Sequence, residues 1–277
     1  MTAKNWRIGI IAHPKKPEAQ TMAREVAAWL AQQKNVTAEI FTEKFKPSPH
    51  YDLVVVLSGD GYLIHTASAL ASTKIPILGI NAGDKGFLTI AGPDDWREVL
   101  SRVIAGSFAV EKRLMLDVLI DGSSSVQHAA NDVYLRHPDG MVVVKLEVDE
   151  KTVFNRLVAD GVVIATPIGS TAYNMSAGGP IVMYSMDCLL VTPVAPIALN
   201  AKPIVISPNS IIRITLVATR AERQNQAAFL KVDGSPAINI NVGQTIVVRA
   251  SQTRTNFISF GSHQFIDALH QKAGLLE

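Results

Sequence analysis

Residues 53–61 read LVVVLSGDG: five consecutive apolar residues run into a Ser-Gly-Asp-Gly turn, and a helical pattern begins at Tyr62. A run that is apolar at every position, without alternation, is a strand buried on both faces, as in parallel sheets covered by helices. The flanking segments agree. Upstream, 7–12 is a β-branched run ending at His13-Pro14, Ala19, Met22, Ala23, Val26 and Leu30 then recur at helical spacing, and 37–42 is a second short strand. Downstream, 62–71 fits a helix, 76–80 a strand and 94–104 a helix opened by Pro93-Asp94. Strands and helices thus alternate over residues 6–105, which predicts a Rossmann-like α/β layer on a parallel sheet.

From about Phe108 the texture changes to short β runs at 115–120, 126–133, 142–148, 157–165, 204–206, 211–217, 229–232 and 245–249. Asp121-Gly122, Asp139-Gly140, Asp233-Gly234 and Val242-Gly243 separate several of them as turns. That spacing predicts an all-β sandwich. Helical spacing returns in Phe265, Leu269 and Ala273. The expected domains are an α/β domain over 1–106, a β-sandwich over 107–260 and a C-terminal helix over 261–277 that packs back on the first.

With 277 residues, 48% hydrophobic, the chain can bury two cores. Only 18% of residues are charged and the net charge is +2, so neither a polyanion-binding field nor a base-stacking platform is implied, and nucleic acid is not an expected partner. The one cysteine, Cys188, lies in an apolar run and reads as a buried structural thiol, in keeping with a reducing compartment. The N-terminal stretch has no signal-peptide pattern, and the longest apolar run, 189–199, is interrupted by Pro193 and Pro196. A cytoplasmic protein without membrane attachment is expected.

The candidates for chemistry begin at Ser58-Gly59-Asp60-Gly61. Ligands of open α/β sheets bind outside the carboxyl ends of the strands, and a helix N-terminus there offers unpaired N–H groups to phosphate. Gly59 and Gly61 allow close backbone approach, and Asp60 between them is either a reactive carboxylate or a helix cap; the residues leave both readings open. His65, one turn on, either reaches the same edge or is a solvated helix residue. The next strand ends in a second glycine-bearing loop, with Asn81, Gly83, Gly86 and Phe87, that suits either a phosphate cradle or a turn requiring positive φ at its glycines. Neither a Walker A motif nor G-x-G-x-x-G occurs in the chain. None of the seven histidines has H-x-x-x-H spacing, so no dedicated metal site is expected.

In the β-rich half, Asn131-Asp132 pairs an amide with a carboxylate, a combination that grips a ribose diol or simply forms a turn. Residues 160–180, DGVVIATPIGSTAYNMSAGGP, run from an apolar strand into a long loop of Thr, Ser, Gly, Asn and Tyr with almost no charge. About twelve structureless residues in a compact domain are uncommon unless they bind something, here a neutral, hydrogen-bonding group such as a nucleoside.

Taken in order, SGDG, NAGDKGFL, NDV and DGVVIATPIGSTAYNMSAGGP resemble the signatures of the NAD kinase family, over roughly residues 7–261. The last motif is highly specific, whereas the Gly-Asp-Gly element is shared with diacylglycerol, sphingosine and phosphofructokinase relatives. The resemblance implies phosphorylation of the 2′-hydroxyl of the adenosine ribose of NAD, with ATP or polyphosphate as donor, Mg²⁺ as divalent metal, and a homodimer or homotetramer. It implies that Asp60 is the general base with Gly61 beside it, and that Asn131 and Asp132 hold ribose hydroxyls. It places Asp160 near the nicotinamide, Thr171, Ala172, Tyr173 and Ser176 around the adenine and adjoining groups, and Asp233 near the nucleotide. Ser58 stands where the family has a glycine, and a positive φ there would strain it; Tyr62 replaces a small polar residue. The competing readings are a lipid or alcohol kinase of the same superfamily and a catalytically weak NAD(P)-binding regulator.

Overall fold

The computed structural model describes residues 4–41, 50–83, 86–221, 227–261 and 263–273, so Thr42 of the second expected strand and Asp84-Lys85 of the second glycine loop lie outside the described residues. The chain forms two compact units, residues 1–112 with 254–277, and residues 113–253.

In the first unit, β1 (Trp6–Ala12), β2 (Val36–Phe41), β3 (Leu53–Leu57) and β4 (Ile77–Ile80) form a parallel sheet in the order β2-β1-β3-β4. Every residue of β3 is buried, as its unbroken apolar run requires. Helix α1 (Pro17–Leu30) turns Ala19, Met22, Ala23, Val26 and Leu30 inward. They share one core with Ile8, Ile10, Leu53, Val55 and Leu57 of the strands and with Trp96, Val99, Leu100 and Val103 of α3 (Trp96–Ile104). Helix α2 (Asp60–Leu70) begins two residues before the expected start, since Gly59 is already an extended N-cap with φ −75 and ψ 174.

In the second unit, β5 (Ala109–Ile120), β6 (Gln127–Ala129), β8 (Gly140–Val148), β9 (Lys151–Ala159), β13 (Ile212–Ala221) and β16 (Thr245–Ser259) belong to one sheet, with the path β16-β13-β8-β9. The other sheet runs β12-β11-β10-β7-β14-β15, from β7 (Asp132–Arg136), β10 (Gly161–Ala165), β11 (Leu189–Val194), β12 (Ile204–Ile206), β14 (Ala228–Val232) and β15 (Ile238–Ile240). Leu116, Val144, Ile214 and Ile246 from the first sheet and Val133, Leu135, Val162, Ile164 and Leu230 from the second meet in one apolar core, so this unit is a β-sandwich. β5 and β16 carry the chain between the units, and α5 (His263–Ala273) follows β16.

Three expected segments are corrected. The run 126–133 is not one strand: β6 pairs with β5 in the first sheet and β7 with β10 in the second, with the switch at Ala130-Asn131. The run 157–165 divides likewise at Asp160 into β9 and β10, which belong to different sheets. In both, the polar residues at the change of sheet, Asn131-Asp132 and Asp160, lie inside a run of strand-forming residues, so composition alone does not tell a change of sheet from a polar position within one strand. The loop after β10 is not structureless, because a 3₁₀ turn (Ile168–Thr171) and a helical turn, α4 (Tyr173–Ser176), fill it. It folds over the outer face of its own strand, where Val182 and Cys188 pack on Val163, Ala165 and Leu190. β10 is therefore buried on both faces although its sheet is antiparallel.

Trp96 is 1% exposed in the core of the first unit. Trp96→Ala is predicted to cost about 3–5 kcal/mol through lost packing and the cavity left behind. Urea titration followed by circular dichroism measures it; a loss below about 1 kcal/mol would contradict this packing.

Candidate functional site

In the first unit the chemistry gathers where β3 ends. Ser58 is buried and its N–H donates to the Ile80 carbonyl at 2.9 Å, so the turn is fastened to the neighbouring strand. Ser58 is not among the residues with positive φ, and the expected strain is absent. Asp60 does not cap α2, because its helix makes no side-chain cap hydrogen bond. Its carboxylate reaches across to the second glycine loop, accepting the N–H of Phe87 at 2.7 Å and of Leu88 at 3.1 Å.

Gly86 is required there for space and not for its backbone angle. It has no positive φ, and neither has Gly83, but a Cβ at Gly86 would fall on the Asp60 carboxylate. Asn81 fixes the entry to the same loop, its Oδ1 accepting the Gly83 N–H at 3.3 Å and its own N–H donating to Ala91 at 2.9 Å. The amide of Asn81 also lies against Gly59, whereas Gly61 faces open space. Tyr62 packs edge-on to His13 with centroids 4.8 Å apart, and the exposed His65 lies nearly parallel to it at 6.3 Å. Burial raises the Tyr62 hydroxyl pKa, so the phenol stays protonated. The structure thus joins Gly59, Asp60, Asn81, Gly86 and Phe87 directly, with Gly61 and His65 on the exposed side of the same helix turn.

In the second unit the organising group is Asp233. Its carboxylate accepts three consecutive backbone N–H groups, from Ala130 at 2.6 Å, Asn131 at 2.8 Å and Asp132 at 3.1 Å, at the point where the chain changes sheets. Asp233 and Gly234 have φ of 46 and 70, a turn that Asp and Gly adopt with least strain. From the other side, the Thr166 N–H donates to Asn131 O at 2.8 Å and the Thr166 hydroxyl to Ala130 O at 2.6 Å. Gly169 approaches so closely that a Cβ would collide with the Asn131 carbonyl.

This clamp uses the backbone of Asn131 and Asp132 and leaves their side chains over. Asn131 Oδ1 is buried without a hydrogen-bond partner among the described residues. The Asp132 side chain, in a residue 5% exposed, likewise accepts no hydrogen bond among the described residues. Burial first, and the charge of Asp233 second, push the Asp132 pKa up from 3.8 to about 7.

The loop of residues 166–188 is held by Asn174, which is fully buried. Its amide donates to Ser170 O at 3.1 Å and Pro180 O at 3.0 Å, and its Oδ1 accepts the Thr192 hydroxyl at 2.7 Å. The Ser170 hydroxyl bonds the Val182 backbone at 3.1 Å. Of the expected residues, Thr171 turns its hydroxyl back to Ile168 O at 3.3 Å, Ala172 joins the 3₁₀ turn to α4, Tyr173 lies edge-on to Tyr134 at 4.9 Å, and Ser176 is exposed. Asp160 stands at the opposite end of β10 from Thr166. It precedes β10 while Thr166 follows it, and five strand residues at about 3.3 Å each span roughly 17 Å. Sequence reasoning missed Thr166 and Asn174, whose only signal was a polar residue in an apolar setting, and Tyr134, which is hidden in the alternation of β7.

The sign of the Asp132 shift sets a pH dependence. Its folded pKa exceeds the unfolded one, so the native state binds more protons between pH 3.8 and about 7. Stability from this group is therefore present in full below that window and is lost as pH rises through it. Asp132→Asn is predicted to flatten this part of the stability profile, measured by urea midpoints across the window; an unchanged slope would contradict the assignment.

Comparison with known proteins divides the chain near the same first boundary. Residues 41–108 match the model of the ATP-NAD kinase N-terminal domain and residues 109–260 that of the ATP-NAD kinase C-terminal domain. An NAD kinase of Heliobacterium modesticaldum is 35% identical over 96% of this chain and 97% of its own length. One from Methanothermobacter thermautotrophicus is 37% identical over 91% of each. The fold resembles that of yeast NADH kinase complexed with NADH, with TM-score 0.84 and 26% identity over 98% of this chain and 88% of that one. It also resembles an NAD kinase from Archaeoglobus fulgidus in complex with ATP, with TM-score 0.75 and 27% identity over 98% and 100% of the two chains. With both domain models matched in order and relatives aligned over nearly the whole length, the chain belongs to the NAD kinase family.

Proposed function

We propose that this protein is a kinase that transfers the γ-phosphoryl group of ATP to the 2′-hydroxyl of the adenosine ribose of NAD, giving NADP. The observation that carries the reading is the pair of acceptors at Asn131 and Asp132, buried and without a donor among the described residues. A buried acceptor left unpaired costs about 1–3 kcal/mol, a cost that a ligand hydroxyl removes. Vicinal ribose hydroxyls supply two such donors at the right spacing for an amide oxygen beside a carboxyl group.

A ribose hydroxyl is a weak nucleophile, and phosphoryl transfer depends on positioning, charge neutralisation and a proton acceptor. Asp60 is assigned the last role. Its two backbone donors, Phe87 and Leu88, fix the carboxylate in place and leave further lone pairs for a substrate proton. The turn formed by Gly59 and Gly61 at the start of α2 is assigned to the donor phosphates, with His65 and the loop of Asn81, Gly83, Gly86 and Phe87 beside it. Tyr173 and its loop are assigned to the acceptor nucleoside, and Asp160 to the nicotinamide end.

Mg²⁺ is proposed as the divalent cation. Among the described residues no group of three His, Cys, Asp or Glu is arranged to hold a metal. When bound, it offsets the charge on the transferring group. A cytoplasmic location is supported by the single free, buried cysteine. Among the described residues no helix is long and apolar enough to cross a membrane. Assembly as a homodimer or homotetramer is supported by the exposed Ile197, Leu199 and Val205, at 57%, 88% and 53%.

Asp60→Asn is predicted to lower kcat for NADP formation by roughly 10²–10⁴ while leaving NAD affinity within a small factor. Gly86→Ala, which displaces the carboxylate without removing it, is predicted to lower kcat about 10²-fold. Steady-state kinetics with calorimetric NAD titration test both; an Asp60→Asn enzyme as active as wild type would remove the proposed base.

A further inference from the structure

The outer face of the second sheet carries more than the Asp132 carboxyl. Along β7, Val133 and Leu135 point into the sandwich core, so Asp132, Tyr134 and Arg136 share the opposite face. On β14, Leu230 and Val232 point inward and Phe229 and Lys231 outward, with Lys231 opposite Tyr134 in the register and Phe229 opposite Arg136. The Tyr134 ring stands 4.9 Å from that of Tyr173 and 6.2 Å from that of Phe229, both edge-on, and remains only partly buried. Lys231 and Arg136 make no salt bridge among the described residues.

One sheet face therefore presents the Asp132 carboxyl, an aromatic ring braced by two others, and two cations that form no salt bridge among the described residues. Those are the features that recognise the sugar, the base and the phosphates of a nucleotide. We propose that Tyr134, braced by Tyr173 and Phe229, is a specificity-determining residue that stacks on a planar base of the acceptor dinucleotide, with Lys231 across from it facing the acceptor's phosphates. The proposal rests on the reading of the chain as an NAD-phosphorylating enzyme and adds residues that none of the motifs contains. Burial raises the Tyr134 hydroxyl pKa, so the ring stays neutral at ordinary pH. Packing of Tyr134 on the apolar cluster of Val163 and Val182 accounts for part of its burial but not for the cations beside it.

The test is steady-state kinetics of the full-length enzyme with NAD and ATP varied separately, using Tyr134→Leu, Tyr134→Phe and Lys231→Met. Leucine keeps the apolar contact and removes the ring. Tyr134→Leu should raise the KM for NAD by about 5- to 150-fold, the range of a lost base–aromatic stack, with the KM for ATP and the melting temperature near wild type. Tyr134→Phe should stay close to wild type. Lys231→Met should raise the KM for NAD and flatten its salt dependence. A wild-type KM for NAD in Tyr134→Leu, equal impairment in Tyr134→Phe, or an unaltered salt dependence in Lys231→Met would overturn the proposal while leaving the kinase reading intact. Absence of NADP formation by the wild-type enzyme would overturn that reading and this proposal with it.

Discussion

Three backbone N–H groups converge on the Asp233 carboxylate, and the geometry around Asn131 depends on them. A chain that leaves one sheet of a sandwich for the other must forgo ladder hydrogen bonds at the crossing, and each buried donor left unpaired costs about 1–3 kcal/mol. One acidic side chain satisfies the whole crossing at Ala130, Asn131 and Asp132. Thr166 and Gly169 then close on the carbonyls of the same peptide segment. With its backbone satisfied from both sides, the segment holds its side chains still. The first unit uses the same device, in which Asp60 gathers the N–H groups of Phe87 and Leu88 and Gly86 leaves it room.

The chemical consequence lies in what these clamps leave unsatisfied. Asp233 accepts three backbone N–H groups, and burial together with its charge lifts the pKa of Asp132 to about 7. Burial and that charge favour the neutral acid form of Asp132, which can donate a hydrogen bond as well as accept one. Asn174 plays the corresponding supporting part in the neighbouring loop, where its amide and carbonyl tie Ser170, Pro180 and Thr192 together. Gly179 is required beside it, since a Cβ there would collide with the Asn174 amide.

Much of the fold was legible because the local pattern and the global environment agree. The unbroken LVVVL run is β3 with the expected ends, and the spacing of Ala19, Met22, Ala23, Val26 and Leu30 is the buried face of α1. The Gly-Asp-Gly at the end of β3 and the Asn131-Asp132 pair were visible as polar residues at strand ends. What was not legible depends on contacts distant in sequence. At the crossings the polar residues Asn131-Asp132 and Asp160 do not by themselves tell a change of sheet from a turn, and the first is set by Asp233, about a hundred residues away. The loop after β10 looked unstructured because Gly and Ser ordinarily mark turns, whereas Asn174 and an apolar face on Val163 and Ala165 order it. Ser58 looked strained because a serine replaced a glycine, but the backbone there is ordinary.

The central claim is that the hydroxyl acceptors at Asn131 and Asp132 and the carboxylate of Asp60 serve phosphorylation of a ribose of NAD. The most direct measurement is to incubate the purified full-length protein with NAD, ATP and Mg²⁺ and to follow product with an NADP-specific dehydrogenase, assigning the phosphate position by ³¹P NMR. The account predicts steady formation of a product phosphorylated at the adenosine 2′-oxygen, with one ADP released per turnover. ATP consumption without that product, or no consumption while NAD binds, would contradict it.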